Sequence, residues 1–198
     1  MELEHVVKRL AAHEPEDPSD LLVRSRSAVA AILRFGAGVE VLLMTRAEHP
    51  GDRWSGHVSM PGGRHEERDS DLLATAVRET REEIGVDLTR GARVLGRLGA
   101  VKAIAKGKIL PMTITPYVFH LMEEQPIVLS PEAVDTFWFP LDRAARGEVD
   151  AVYEYRLGPI PVDLPCWRWE GRTVWGLTHQ MLGGLIRVVS GSRDAVRP

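Results

Sequence analysis

Three carboxylates, Glu79, Glu82 and Glu83, stand together in the segment Arg78-Glu79-Thr80-Arg81-Glu82-Glu83-Ile84-Gly85-Val86. Spacing of i, i+3 and i+4 puts them on one face of a helix, within an arc of roughly 100° on the helical wheel. Like charges that close repel by a few tenths of a kcal/mol per pair in an isolated helix, so the cluster calls for a compensating cation or arginine. Mg²⁺ is the natural candidate: a hard ion that prefers carboxylate oxygens and bridges them to phosphates. Glutamates next to arginines more often form only a solvated, salt-bridged helix face. The loop ahead shifts the balance, because Pro61-Gly62-Gly63 lets backbone amides and carbonyls approach a metal or phosphate closely.

The elements that must position these groups follow from the apolar pattern. Residues 71–84 form the strongest helical segment, stopped by Gly85, with Leu73, Val77, Thr80 and Ile84 on a side suited to packing against a sheet. The acids are expected to face a cleft or solvent. Upstream, AVAAIL and VEVLLM flank Phe35-Gly36-Ala37-Gly38 and predict an antiparallel hairpin whose glycines supply positive backbone angles. Downstream, VLGRLGAV, ILPMTITPYVFHLM and 136–139 read as strands, with a last pair near Tyr153 and 167–169, and 175–189 reads as a closing amphipathic helix. Residues 1–12 carry Leu3, Val6, Val7 and Leu10 at helical spacing before a Pro-rich, acidic stretch. The expected organisation is a leading helix and linker over 1–20 and a single domain over 21–198, an α/β fold with a mixed sheet.

Bulk properties narrow the function. The 198 residues suffice for one core. A net charge of -3 supplies no global positive field, which argues against nucleic acid or an anionic membrane as partner, so phosphate recognition must be local. One cysteine, Cys166, excludes an internal disulfide and a Cys-based zinc site, and with no apolar run of signal or membrane-spanning length the expected location is cytoplasmic. His49, His57, His120 and His179 lack zinc-protease spacing. Arg46 and Arg53 precede the glycine loop and are candidates for pairing with substrate phosphates, although a surface arginine is more often simply solvated. Trp54, Tyr117, Trp138, Trp167 and Trp175 are more often core than a base-stacking platform and receive no role.

Residues 63–86 resemble the Nudix box, whose family pattern is a glycine, five residues, Glu, seven residues, then R-E-U-x-E-E-x-G-U. The second half reads RETREEIGV, with Thr80 at the large apolar position U. The first half is one residue longer than the pattern, so the expected Glu position falls on Ser70. This lengthened loop resembles the coenzyme A pyrophosphatase branch, in which acidic residues follow P-G-G at the third and sixth positions; here they are Glu66 and Asp69, and Asp69 is expected to take the displaced Glu's role. The segments LMTR, GHVSMPGG, EAVDTFWFPL and VWGLT are similar to the same branch, whereas Trp54 stands where a His is common and Arg53 is displaced by one. The likeness covers roughly residues 25–190.

The resemblance implies the Nudix fold, an α/β/α sandwich with a mixed central sheet. It implies Glu79 and Glu83 as principal metal ligands, Glu82 as a further ligand or water-orienting acid, and the Gly63 carbonyl as another ligand, with Mg²⁺ or Mn²⁺ as cofactor. Arg78 would orient the carboxylates through charge-assisted hydrogen bonds, and Glu132 is the candidate extra ligand or general base. The expected reaction is water attack on phosphorus in a small-molecule nucleotide substrate, with coenzyme A or its thioesters leading. ADP-ribose, a dinucleotide or a nucleoside triphosphate is the alternative, and a non-catalytic nucleotide-binding module is the competing class. A homodimer is left open.

Overall fold

The computed structural model describes residues 1–19, 23–51, 54–105 and 107–191. In chain order the elements are α1 (Leu3–Ala11), β1 (Ser25–Phe35), β2 (Val39–Arg46), β3 (Val58–Ser59), β4 (Gly62–Arg64), α2 (Leu72–Ile84), β5 (Ala92–Arg97), β6 (Val101–Ala105), β7 (Lys108–Leu121), β8 (Ala133–Pro140), α3 (Leu141–Ala145), β9 (Asp150–Leu157), β10 (Ile160–Trp169), β11 (Arg172–Trp175) and α4 (Gly176–Ser190).

The long apolar run of β1 is buried on both faces because it is the central strand. It pairs parallel with β7 and antiparallel with β2 and β4, while β5 and β6 add to β7 and β3 and β8 add to β2. The expected mixed sheet and layered α/β fold are present. Strand alternation divides two cores. Ala28, Ala30 and Ile32 face α2, with Leu42, Met44 and Phe119. Val29, Ala31 and Leu33 face the opposite layer, where α1 and α4 bury Val6, Leu10, Met181, Leu182 and Leu185.

Several expectations are corrected. Neither Gly36 nor Gly38 adopts a positive φ in the hairpin turn. At Gly38 the constraint is space, since a Cβ would lie 2.9 Å from the Asp142 carboxylate. The segment VLGRLGAV is two strands, β5 and β6, separated at 98–100. That gap lies opposite Pro116, whose carbonyl accepts from the Leu98 amide at 2.9 Å and which has no N–H for a ladder partner. The last strand pair is a separate three-stranded sheet, β9, β10 and β11. The leading helix α1 docks on the domain: beyond its buried Val6 and Leu10, the His5 ring bonds the Val189 carbonyl at 2.8 Å and Arg9 donates to the Val188 carbonyl at 3.0 Å. Among the described residues no helix is long and apolar enough to cross a membrane.

Leu10 is 4% exposed. Leu10→Ala is therefore expected to lower unfolding free energy by about 2–3 kcal/mol, the lower part of the range for buried leucines because α1 lies at the edge of its core. A denaturant midpoint shift equivalent to less than 0.5 kcal/mol, ~a surface effect, would show that the helix is not docked.

Candidate active site

Helix α2 begins where Asp71 caps it, its side chain accepting from the Ala74 amide at 2.8 Å, and ends at Gly85, left-handed at φ 76°. Its sheet-facing side is Thr75, Ala76, Thr80, Glu83 and Ile84, whereas Leu73 and Val77 are only partly buried. Thr80 is tolerated at a fully buried position because its hydroxyl donates to the Ala76 carbonyl at 2.7 Å.

The wheel pattern misplaced one acid: Glu83 faces neither open cleft nor solvent but is 3% exposed. It accepts the Gly62 N–H at 2.8 Å, and an Arg46 Nη1 stands 3.7 Å from its other oxygen. Burial pushes its carboxyl up to about 7, with the charges of Glu79 and Glu132 adding to the rise and Gly62 and Arg46 opposing it. Glu79 is raised by burial as well, against the pull of Arg78. Glu82 is half-exposed. Glu132 lies on the exposed approach to β8, close enough for its charge to raise both Glu79 and Glu83.

Arg78 organises the acids with all five of its N–H groups. Nε and Nη2 take both Asp69 oxygens at 2.8 and 2.9 Å, Nη1 reaches Glu79 at 2.8 Å and Glu82 at 2.9 Å, and Nη2 also donates to the Arg64 carbonyl at 3.0 Å. Asp69 thus serves as the buried counter-ion of Arg78, further held by the Thr75 hydroxyl and the Glu66 amide. The guanidinium keeps its carboxyl well below the usual aspartate range. Glu66 itself is exposed and pairs with Arg68.

The glycines are required by contact. Strand β4 lies against β1 with Gly63 opposite Ala28. At Gly63 a Cβ would come within 2.5 Å of the Glu79 carboxyl, and at Gly62, φ 147°, it would collide with the Ala28 carbonyl. A cavity of about 260 Å³ opens beside this strand, its walls including Arg46, Arg64, His57, Trp54 and Trp175.

Arg53 lies outside the described residues. Arg64, His57 and Trp175 were not singled out from sequence as site residues, since an isolated basic or aromatic residue carries no spacing signal. Trp175 packs against His57, Tyr153 and Tyr155 at centroid distances of 4.7, 4.5 and 5.4 Å, whereas Trp167 is buried core, as is Cys166. His120 packs on Phe35 and His179 on Trp167, away from the acids.

The NUDIX domain profile matches residues 24–156. The chain belongs to the Nudix family. A Nudix hydrolase NudL of Yersinia enterocolitica is 26% identical over 95% of this chain and 93% of its own length. The mitochondrial coenzyme A diphosphatase NUDT8 of Mus musculus is 31% identical, covering 79% of this chain and 75% of that protein. An Ap4A hydrolase of C. elegans, 24% identical over 62% of this chain and 84% of its own, superposes with a TM-score of 0.50 and shares the fold. The chain is therefore a Nudix pyrophosphohydrolase, of a family that binds nucleotide substrates and uses divalent metal ions.

The donor set fits such an ion: oxygen ligands only, two mostly buried carboxylates whose pKa values are raised, and a glycine strand pressed against one of them. Among the described residues no three acidic, His or Cys side chains already form a cage; Arg78 occupies an oxygen of Glu79 and of Glu82.

Asp69→Asn is expected to cost about 2–3 kcal/mol at neutral pH, below the full price of breaking a buried pair because Glu79 and Glu82 still neutralise Arg78. The folded pKa of Asp69 is depressed, so its contribution is fully present above the ordinary aspartate value near ~3.9 and is lost as pH falls through the lowered folded value. The stability gap between the two proteins, followed by urea titration from pH 7 downward, should be constant to about pH 4 and then narrow; a gap that widens in acid would exclude this role.

Proposed function

We propose that this Nudix hydrolase cleaves the diphosphate linkage of coenzyme A or its thioesters, releasing adenosine 3',5'-bisphosphate and 4'-phosphopantetheine or its acylated form. The observation that carries the reading is the part-buried Glu79 and the buried Glu83 packed against a glycine strand, Gly62-Gly63, which itself walls a cavity lined by Arg46 and Arg64. The named activity of the mouse relative supports the choice of coenzyme A.

In this reading Glu79, Glu83 and the Gly63 carbonyl hold Mg²⁺ or Mn²⁺, with Glu82 as a further ligand or water-orienting acid. The ion supplies a Lewis acid that acidifies water and neutralises phosphate charge. The chain's own groups do the rest. Arg46 and Arg64 draw the diphosphate into the cavity by charge-assisted hydrogen bonds. Arg53 is assigned the same task on its place in the sequence. Arg78 touches no substrate and positions Glu79 and Glu82. Glu132, the proposed base, takes one proton from the attacking water as its oxygen bonds to phosphorus; the bond from that phosphorus to the bridging oxygen breaks, and its electron pair leaves with the second phosphate. A reducing, cytoplasmic setting belongs to the same reading and rests on the single, buried Cys166.

The test is product analysis after incubation with Mg²⁺ or Mn²⁺ and, in parallel, coenzyme A, ADP-ribose, NADH and a nucleoside triphosphate. Metal-dependent 4'-phosphopantetheine formed chiefly from coenzyme A is the expected result. Preferred cleavage of another substrate would discard coenzyme A and keep the hydrolytic centre. Glu83→Gln retains an acceptor for the Gly62 amide and is expected to fold normally by circular dichroism while losing turnover by orders of magnitude. Near-normal turnover would refute Glu83 as a ligand.

A further inference from the structure

The segment between β7 and β8 carries Glu132, and its apolar side chains are too exposed to hold it in place: Ile127, Val128 and Leu129 are 39%, 65% and 40% exposed. Polar groups fix it instead. Gln125 accepts the Asp87 N–H at 2.9 Å and donates to the carbonyls of Asp87 and Arg90 at 3.1 and 2.7 Å. Farther on, the segment crosses the C-terminal end of α2, where the last carbonyls of a helix find no partner within it. Val128 N–H donates to the Ile84 carbonyl at 3.0 Å, and Ser130 N–H to the Glu83 carbonyl at 2.9 Å. Gly85 permits the crossing, since a Cβ there would lie 2.9 Å from Val128 Cβ.

Ser130 then opens a β-turn, Ser130-Pro131-Glu132-Ala133. The Ala133 N–H closes it on the Ser130 carbonyl at 3.2 Å, and Pro131 presets φ at the second position. The Ser130 hydroxyl accepts the Glu132 N–H at 3.2 Å, and the Glu132 carbonyl accepts the Ala47 N–H at 2.8 Å. One residue therefore bonds the backbone of both acids: its N–H holds Glu83 and its hydroxyl holds Glu132. The Glu132 side chain is exposed, so the constraint on where its carboxylate can stand falls on its backbone.

We propose that Ser130 is the positioning residue of the general base: it ties the backbone of Glu132 to the carbonyl of Glu83 and so holds the base at a fixed offset from the metal-binding acid. The inference rests on the assignment of Glu132 as base, whichever substrate is cleaved. Removing the hydroxyl leaves the N–H and carbonyl of residue 130. The grip on Glu83 and the closing bond of the turn then persist, and Glu132 alone is loosened.

The experiment is steady-state kinetics of the full chain with Mg²⁺, on the best cleaved of the four substrates named above. It compares the unaltered protein with Ser130→Ala, Ser130→Thr, Glu132→Gln and the double variant of Ser130→Ala and Glu132→Gln. Ser130→Ala should keep its circular dichroism spectrum and lower kcat about tenfold, a part of the roughly 10²–10⁴ that a positioned base supplies. KM and the Mg²⁺ concentration for half-maximal rate should not change. Ser130→Thr keeps a hydroxyl and should restore kcat. Glu132→Gln should lower kcat by about a hundredfold or more, and Ser130→Ala should cost nothing further in that background because it acts through the same carboxylate. An unchanged kcat in Ser130→Ala, an equal loss in both backgrounds, no rescue by Thr, or a raised Mg²⁺ requirement would overturn the positioning role, while the loss in Glu132→Gln upholds the base. Near-normal turnover of Glu132→Gln would instead fail the base assignment, and turnover of none of the four substrates would fail the catalytic reading; either removes the role of Ser130 with it.

Discussion

The site depends on one guanidinium. Arg78 spends five N–H donors on Asp69, Glu79, Glu82 and a backbone carbonyl. Without it, the carboxylates on and before α2 would face one another with little water to screen them. Lysine could not substitute, since a single ammonium with three donors cannot grip Asp69 with two parallel bonds and still reach both glutamates. The pair with Asp69 is the deep anchor, and Nη1 holds Glu79 and Glu82. Arg78 therefore converts an electrostatic liability into a set of fixed oxygens.

Glu83 is stabilised by different means. It is buried, with one N–H from Gly62 and the field of Arg46 for compensation, and burial still wins, pushing its pKa up to about 7. A carboxyl so poorly compensated by its own protein is the group that most benefits from a divalent cation. The sheet enforces this arrangement. Strand β4 must lie against β1 closely enough that Gly62 and Gly63 leave no room for side chains, and β1 can hold it there because its own two faces are filled by separate cores.

Much of this was legible along the chain because it is local. The i, i+3, i+4 acids, the Asp71 and Gly85 boundaries of α2, the strands β1, β2, β7 and β8 and the closing helix all follow from periodicity and turn chemistry within a dozen residues. Other features were misread for the same reason. The helical wheel ranks faces by apolarity, so it assigned Glu83 to the open side and Leu73 and Val77 to the packed one. Pattern alone also ran VLGRLGAV as one strand, since the break comes from Pro116 on a neighbouring strand. The hairpin glycines were given a conformational reason, whereas Gly38 answers to Asp142 a hundred residues away.

By itself the sequence determined the chemistry: oxygen ligands on a helix, a glycine strand ahead of it, and an arginine at hand, all set by side-chain type and spacing. Tertiary structure decided which oxygens are buried, that Asp69 belongs to Arg78, and that Arg46 reaches the glycine strand. It also tied the turn that carries Glu132 to the carbonyl end of α2 through Ser130. These outcomes depend on desolvation and on contacts between segments far apart in the chain, and neither quantity exists until the sheet has brought those segments together.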